Sequence, residues 1–326
     1  MKRAFVGLLV ASTLALTASA AMAQDKLRLQ LKWAPQSQFA GYFVAVDQGF
    51  YAEENLEVEL LSGGPNIAVP QVMAGGGADV AVEWMGSALV AREKGVPLVN
   101  IAQPYAKSAL MMICPTETGV TSEADFPGKT LGVWFFGNEY PFFAWMNKLG
   151  LATDGSAGGV TVLQQSFDIQ PMIQKQADCI SVMTYNEYGQ ALDAGYSPDN
   201  LTIFNYTDLG NDLLEDGLYV MEDTLADPAK VDAYTRFVRA SMKGWQYAID
   251  NPDAAAQIVV DMDETGAATL DHQKYMMSEV AKLISGPDAA LDMSTYDRTV
   301  KALLDQKIIT AEPSGAYTTV VTDALK

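Results

Sequence analysis

The chain has 326 residues, 21 Lys and Arg against 40 Asp and Glu, and a net charge of −19. That acid excess argues against nucleic acid and anionic lipid surfaces as partners. The single histidine, His272, argues against His-dependent triads and multi-His metal centres.

Residues 1–23 read as a secretory signal. Lys2 and Arg3 supply its positive end, residues 4–20 its apolar stretch, and Ala21-Met22-Ala23 its processing site. Ala18-Ser19-Ala20 is a second candidate site, and a retained anchor is the alternative, disfavoured because the run is short and rich in Ala, Thr and Ser. Removing Lys2 and Arg3 takes the charge from −19 to −21. The expectation is a soluble protein exported to the periplasm, without a lipid anchor. About 300 mature residues exceed the size that one core usually serves, so two lobes are expected.

Leu27, Leu29 and Leu31 alternate with Arg28, Gln30 and Lys32, the period-two pattern of a strand. Trp33 stands at its end, where Pro35 blocks further pairing. Residues 39–46 have helical spacing, with Gly49 as cap. A strand over 56–61 leads to the turn Ser62-Gly63-Gly64-Pro65-Asn66 and a helix over 67–74, closed by Gly75-Gly76-Gly77. A buried strand over 79–82 delivers Glu83 and Trp84, a helix spans 86–93, and a strand spans 99–103.

Beyond this come strands over 108–114 and 131–134, then a loop over 137–141 that opens a helix. A strand over 160–164, a helix over 169–176 and a strand over 179–183 follow, the last delivering Tyr185, Asn186, Glu187 and Tyr188. Helices over 229–249, 252–261, 271–284 and 293–306 complete the chain, with no internal repeat. This alternation implies mostly parallel sheets in an α/β protein. Two lobes joined by crossings near 105–109 and 205–219 place a cleft between them, with hinge closure as its natural motion. The first lobe takes 24–107, the second 108–210, and 211–326 returns to the first.

Cys114 and Cys179 both fall in strands of the second lobe. An oxidising compartment permits a bridge, but two buried thiols are the expectation. His272 lies in a polar stretch and is expected at the surface.

Ligands of open α/β sheets bind beyond the carboxyl ends of strands. There the first lobe offers Trp33, Gln38, Phe39, Tyr42, Glu83 and Trp84, and the second offers Trp134, Asn138, Glu139, Tyr185, Asn186 and Glu187. Rings beside carboxylates and amides suit a flat heteroaromatic ligand. Aromatic faces stack on it, while Glu and Asn satisfy its ring nitrogens and amine. Lys32 is the one basic residue at these strand ends, which disfavours phosphate and sulfonate ligands. Glu83 and Glu187 each need a partner, from ligand or protein, because an unpaired buried carboxylate is costly.

The segments Lys32-Trp33, Gln38-Phe39-Ala40-Gly41-Tyr42, Gln48-Gly49-Phe50-Tyr51 and Gly63-Gly64-Pro65 resemble the N-terminal signature of ThiY-like periplasmic binding proteins. Ala78-Asp79, Ala91-Arg92-Glu93-Lys94-Gly95, Tyr185-Asn186-Glu187 and the run from Phe237 to Trp245 extend the resemblance in collinear order. It implies the type II two-lobed periplasmic binding fold and a monomer that delivers its ligand to the permease of an ABC importer. The implied ligand is a pyrimidine precursor of thiamine, of the formylaminopyrimidine or hydroxymethylpyrimidine type. Carry-over implies stacking by Trp33 and Tyr185, with Glu187 as polar partner. Riboflavin or another flat heteroaromatic is the alternative, favoured by the aromatic run Trp134-Phe135-Phe136-Gly137-Asn138-Glu139-Tyr140. The family also includes eukaryotic pyrimidine synthases with a Cys-rich motif. The corresponding stretch here, 209–217, has no cysteine, so no enzymatic activity and no cofactor are expected.

Overall fold

The computed structural model describes residues 24–326, and the expected signal segment lies outside the described residues. Two five-stranded sheets organise the chain. The strands are β1 (Asp25–Gln30), β2 (Leu56–Leu61), β3 (Val80–Glu83), β4 (Leu98–Ala102), β5 (Leu110–Pro115), β6 (Thr130–Val133), β7 (Thr161–Gln164), β8 (Cys179–Met183), β9 (Leu201–Asn205) and β10 (Gly217–Met221). The first sheet runs β2-β1-β3-β10-β4 and the second β7-β6-β8-β5-β9. The chain therefore passes from the first lobe to the second between β4 and β5, and returns between β9 and β10.

Each sheet is mixed, which corrects the expectation of mostly parallel strands. β1 pairs parallel with β2 and β3, and β6 parallel with β7 and β8. The strand beside the crossing, β10 in one sheet and β5 in the other, pairs antiparallel on both sides. A strand entering from the other lobe has no crossover helix of its own to turn it parallel.

Leu27, Leu29 and Leu31 are buried as their alternation requires, but Gln30 and Lys32 are buried too, because β1 has neighbours on both sides and its end is roofed by the second lobe. The segment expected as a helix over 169–176 is a single turn, Gln170–Ile173. The helix Glu187–Asp193 and the strands β9 and β10 gave no clear period in the sequence.

The helix Ala40–Asp47 crosses Pro228–Asp250 at very close range. A Cβ on Gly244 would lie 2.0 Å from the Gly41 carbonyl oxygen, and one on Gly41 would lie 2.3 Å from the Trp245 ring. Pro228–Asp250 starts on an Asp227 cap, whose carboxylate accepts from the Ala229 N–H at 2.9 Å. Among the described residues no helix is long and apolar enough to cross a membrane.

Cys114 and Cys179 form a disulfide, contrary to the expectation of free thiols. The antiparallel register sets Ile113 against Ile180, so the next pair outward is Cys114 against Cys179. Their Cα atoms are 4.2 Å apart, within reach of a bridge.

Candidate functional site

A narrow cleft, with about 20 Å³ of free volume, lies between the lobes, at the carboxyl ends of β1, β3, β6 and β8. Trp33, Trp84, Trp134 and Tyr185 give it aromatic walls. Gln38, Asn138, Asn186 and Glu187 supply polar edges, joined by Lys32, Gln36 and Met183.

Trp33 leaves β1 and meets Trp134 edge-on at 6.0 Å and Phe167 at 5.8 Å between ring centroids. The indole N–H of Trp134 donates to the Ser166 carbonyl at 2.8 Å, and the Asn138 amide donates to the Phe135 carbonyl at 2.8 Å. Within the aromatic run after β6, Trp134 packs against Trp33 and Phe135 against Phe143, while Phe136 is exposed.

β8 ends at Met183, and the chain turns directly into the helix that starts at Glu187. The turn brings the Glu187 carboxylate back over the strand end, where it accepts from the Met183 N–H at 3.0 Å and from Asn186 Nδ2 at 2.8 Å. It is 1 % exposed. Burial pushes its pKa up to about 7, against the pull of the Met183 N–H and the Asn186 amide.

Glu83 occupies the matching place at the end of β3 but lies behind the cavity wall. Its Oε1 is 2.5 Å from Lys32 Nζ, both side chains being buried. Burial raises the Glu83 pKa and Lys32 pulls it down. Lys32 Nζ also donates across the lobes to the Phe136 carbonyl at 3.3 Å. That approach depends on Gly137, with φ at +102°, where a Cβ would sit 2.3 Å from Ser87 Oγ and 3.3 Å from Lys32 Nζ. The one cation lining the cavity is therefore matched by a carboxylate.

Four expected site residues lie outside the cavity wall. Phe39 is fully buried in the core. Tyr42 faces the helix Pro228–Asp250 and stacks edge-on with Trp245 at 5.8 Å. Glu83 is held by Lys32, and Glu139 accepts from the Gly137 N–H at 2.7 Å beside a separate groove. Eight lie on the wall: Trp33, Gln38, Trp84, Trp134, Asn138, Tyr185, Asn186 and Glu187.

Sequence reasoning missed Glu215 and Asp216, just before β10. Asp216 accepts from Gln38 Nε2 at 2.7 Å and from the Trp84 indole at 2.9 Å. Burial pushes it up to about 6, and those two donors pull it back. Glu215 accepts from Ser108 Oγ and from the Ala109 N–H, so it ties the two crossings together. Burial pushes Glu215 up to about 8. The available signal was two adjacent acids between Leu213-Leu214 and the apolar start of β10. His272 is half-buried rather than on the surface. Its Nε2 is 2.8 Å from Asn186 Oδ1, across the lobes, and burial lowers its pKa.

Residues 36–255 match the NMT1/THI5-like family. The chain is 22 % identical to a formylaminopyrimidine-binding protein of Halalkalibacterium halodurans, over 95 % of this chain and 96 % of that one. It is 25 % identical to the riboflavin-binding protein RibY of Chloroflexus aurantiacus, over 78 % of this chain and 72 % of that one. Its fold matches the ligand-binding component of an ABC-type import system from Staphylococcus aureus, with a TM-score of 0.69 at 11 % identity, over 93 % of this chain and 99 % of that one.

Proposed function

The chain belongs to the NMT1/THI5-like family, and from that premise we propose that it is the solute-binding protein of an ABC importer, working in the periplasm on a pyrimidine precursor of thiamine. The observation that carries this reading is the cleft between the lobes, with aromatic walls and the Glu187 carboxylate with the Asn186 amide at one edge. A single aminopyrimidine ring stacks on such walls, and its exocyclic amine donates to Glu187. The bound ring is desolvated between the lobes, which close over it and present the loaded protein to a permease. The protein releases its ligand unchanged.

The relative named for formylaminopyrimidine is matched over 95 % of this chain, which favours a pyrimidine over a flavin. The similarity to a protein named for riboflavin makes riboflavin the second reading.

A thermal-shift and calorimetry screen over formylaminopyrimidine, hydroxymethylpyrimidine, riboflavin and an alkylsulfonate tests the proposal. Binding raises the melting temperature by mass action, and the expected shifts come from the two pyrimidines. A shift with riboflavin alone moves the assignment to the second reading, and a shift with the alkylsulfonate alone rejects both.

A further inference from the structure

The helix Leu270–Val280 touches both lobes. On the first-lobe side Gln273 Oε1 accepts from the Ser37 N–H at 2.6 Å, and the Gln273 carbonyl accepts from Ser37 Oγ at 3.1 Å. Ser37 stands between Gln36 and Gln38, two residues of the cleft wall. On the second-lobe side the Tyr275 hydroxyl donates to the Thr184 carbonyl at 2.8 Å, and His272 Nε2 lies 2.8 Å from Asn186 Oδ1. Thr184 and Asn186 flank Tyr185, on the opposite wall. The seam between this helix and Glu187–Asp193 therefore lies beside both walls.

At the seam the Tyr275 ring rests on Gly189. A Cβ at Gly189 would lie 2.3 Å from Tyr275 Cε1, 2.6 Å from Cδ1 and 3.0 Å from Cζ, and these are its three nearest atoms. What excludes a side chain there thus belongs to the other lobe. The backbone does not ask for glycine. Gly189 is buried in the first turn of the helix Glu187–Asp193, and alanine is the better helix former. Gly244 differs, since a Cβ there would meet the Gly41 carbonyl inside the first lobe. Nor is the Tyr275 ring free to step aside, because moving it gives up the bond to Thr184.

We infer that Gly189 and Tyr275 are positioning residues that set the closed spacing of the cleft: a ring from one lobe lands on bare backbone of the other, and the absent side chain lets Tyr185 and Glu187 come up to Trp33 and Trp84. This rests on the solute-binding reading above and names what fixes the closed geometry of that site. Gly189→Ala props the lobes apart at the seam. A ligand then meets one wall without the other, so it enters as before and leaves sooner.

The test is stopped-flow tryptophan fluorescence with hydroxymethylpyrimidine, or with riboflavin where the screen above selects it, together with the melting temperature of the unliganded protein. Gly189→Ala is expected to raise koff and Kd at least about tenfold with kon within about twofold. Unliganded, it should melt no lower than the wild type, because alanine favours the helix. Adding Tyr275→Ala makes room for the methyl group, so Gly189→Ala should weaken binding far less in that background. An unchanged koff in Gly189→Ala overturns the inference. So does a lowered unliganded melting temperature with equal weakening in both backgrounds, the result of a purely local packing role. Tyr275→Phe keeps the ring and loses only the bond to Thr184. It is expected to raise koff about two- to tenfold, and no rise overturns the inference even if Gly189→Ala does not fold. A wild type that binds neither compound rejects the solute-binding reading and this inference with it. A wild type that binds upholds that reading, and the variants then judge the inference alone.

Discussion

In the first lobe β3 begins behind Asp79, which exchanges hydrogen bonds with the backbone of Arg28, and in the second β8 begins behind Asp178, which does the same with Thr130. Both strands are third in their sheets, and both carry a buried glutamate at or just beyond their carboxyl end. There the likeness stops. Glu83 is the last residue of its strand. The register Gln30 to Ala81, carried two residues on, sets Lys32 beside Glu83, so strand pairing itself supplies the counter-ion. Glu187 comes four residues after its strand, on the first turn of a helix, where only neutral N–H groups reach it. A carboxylate within a sheet is neutralised by the neighbouring strand. One carried past the sheet is left for whatever enters the cavity.

The comparison breaks most visibly at Lys32. Lys32→Met leaves Glu83 charged, buried and unpaired, and is expected to cost up to about 5 kcal/mol, read from urea unfolding. Replacing both, as Lys32→Met with Glu83→Leu, should recover most of that loss. A single variant as stable as the wild type would mean that Glu83 is not an ion-pair partner.

Next in size is the disulfide at the base of β8, which has no counterpart in β3. It closes a 65-residue separation, and replacing both cysteines by serine is expected to cost on the order of 4 kcal/mol on the chain-entropy account. The loss should fall on the unfolding midpoint and leave the affinity of the folded protein unchanged, since both sulfurs lie away from the cavity wall.

The pattern of strand ends and Gly-marked turns made the two lobes and most of the cavity wall legible in the sequence, because β1, β3 and β8 show period or apolar runs and their ends must open on a cleft. Asp216 was not legible: the stretch 209–217 has no period, and acids there look like a solvated loop until its ends are known to cross between lobes. Lys32 could have been matched to Glu83 from strand register alone, but register belongs to pairs of strands and cannot be read from either one singly. The disulfide was hidden for the same reason, since Cys114 and Cys179 become opposite only when β5 and β8 are paired. His272 was misread because its partner, Asn186, stands on the other lobe.

Glu187→Ala is expected to weaken pyrimidine binding by roughly 1.5–3 kcal/mol, the worth of a hydrogen bond to a charged group. Calorimetry against the aminopyrimidine checks it, and unchanged affinity would remove Glu187 from the binding contact and erase its contrast with Glu83.

The smallest expected effect separates the two glutamates most finely. The folded protein holds the Glu187 proton to about pH 7, against a usual value of 4.5. A raised folded pKa means that the native state binds more protons than the unfolded one between those limits, so stability falls as pH rises through that window. The contribution is fully present below about 4.5 and lost above about 7. Glu215, pushed up to about 8, and Asp216, up to about 6, slope the same way. Glu187→Gln mimics the protonated form at every pH. It should lessen the slope of the urea midpoint between pH 5 and 7, leaving the part that Glu215 and Asp216 supply, so the unliganded variant is more stable than the wild type at pH 8. Glu83→Gln should be less stable than the wild type at pH 8, because it strands the Lys32 ammonium that Glu83 neutralises. Midpoints at pH 5, 6, 7 and 8 for the three proteins decide it: if both glutamine variants move in the same direction at pH 8, the two glutamates do the same work and the distinction between the paired and the open carboxylate is lost.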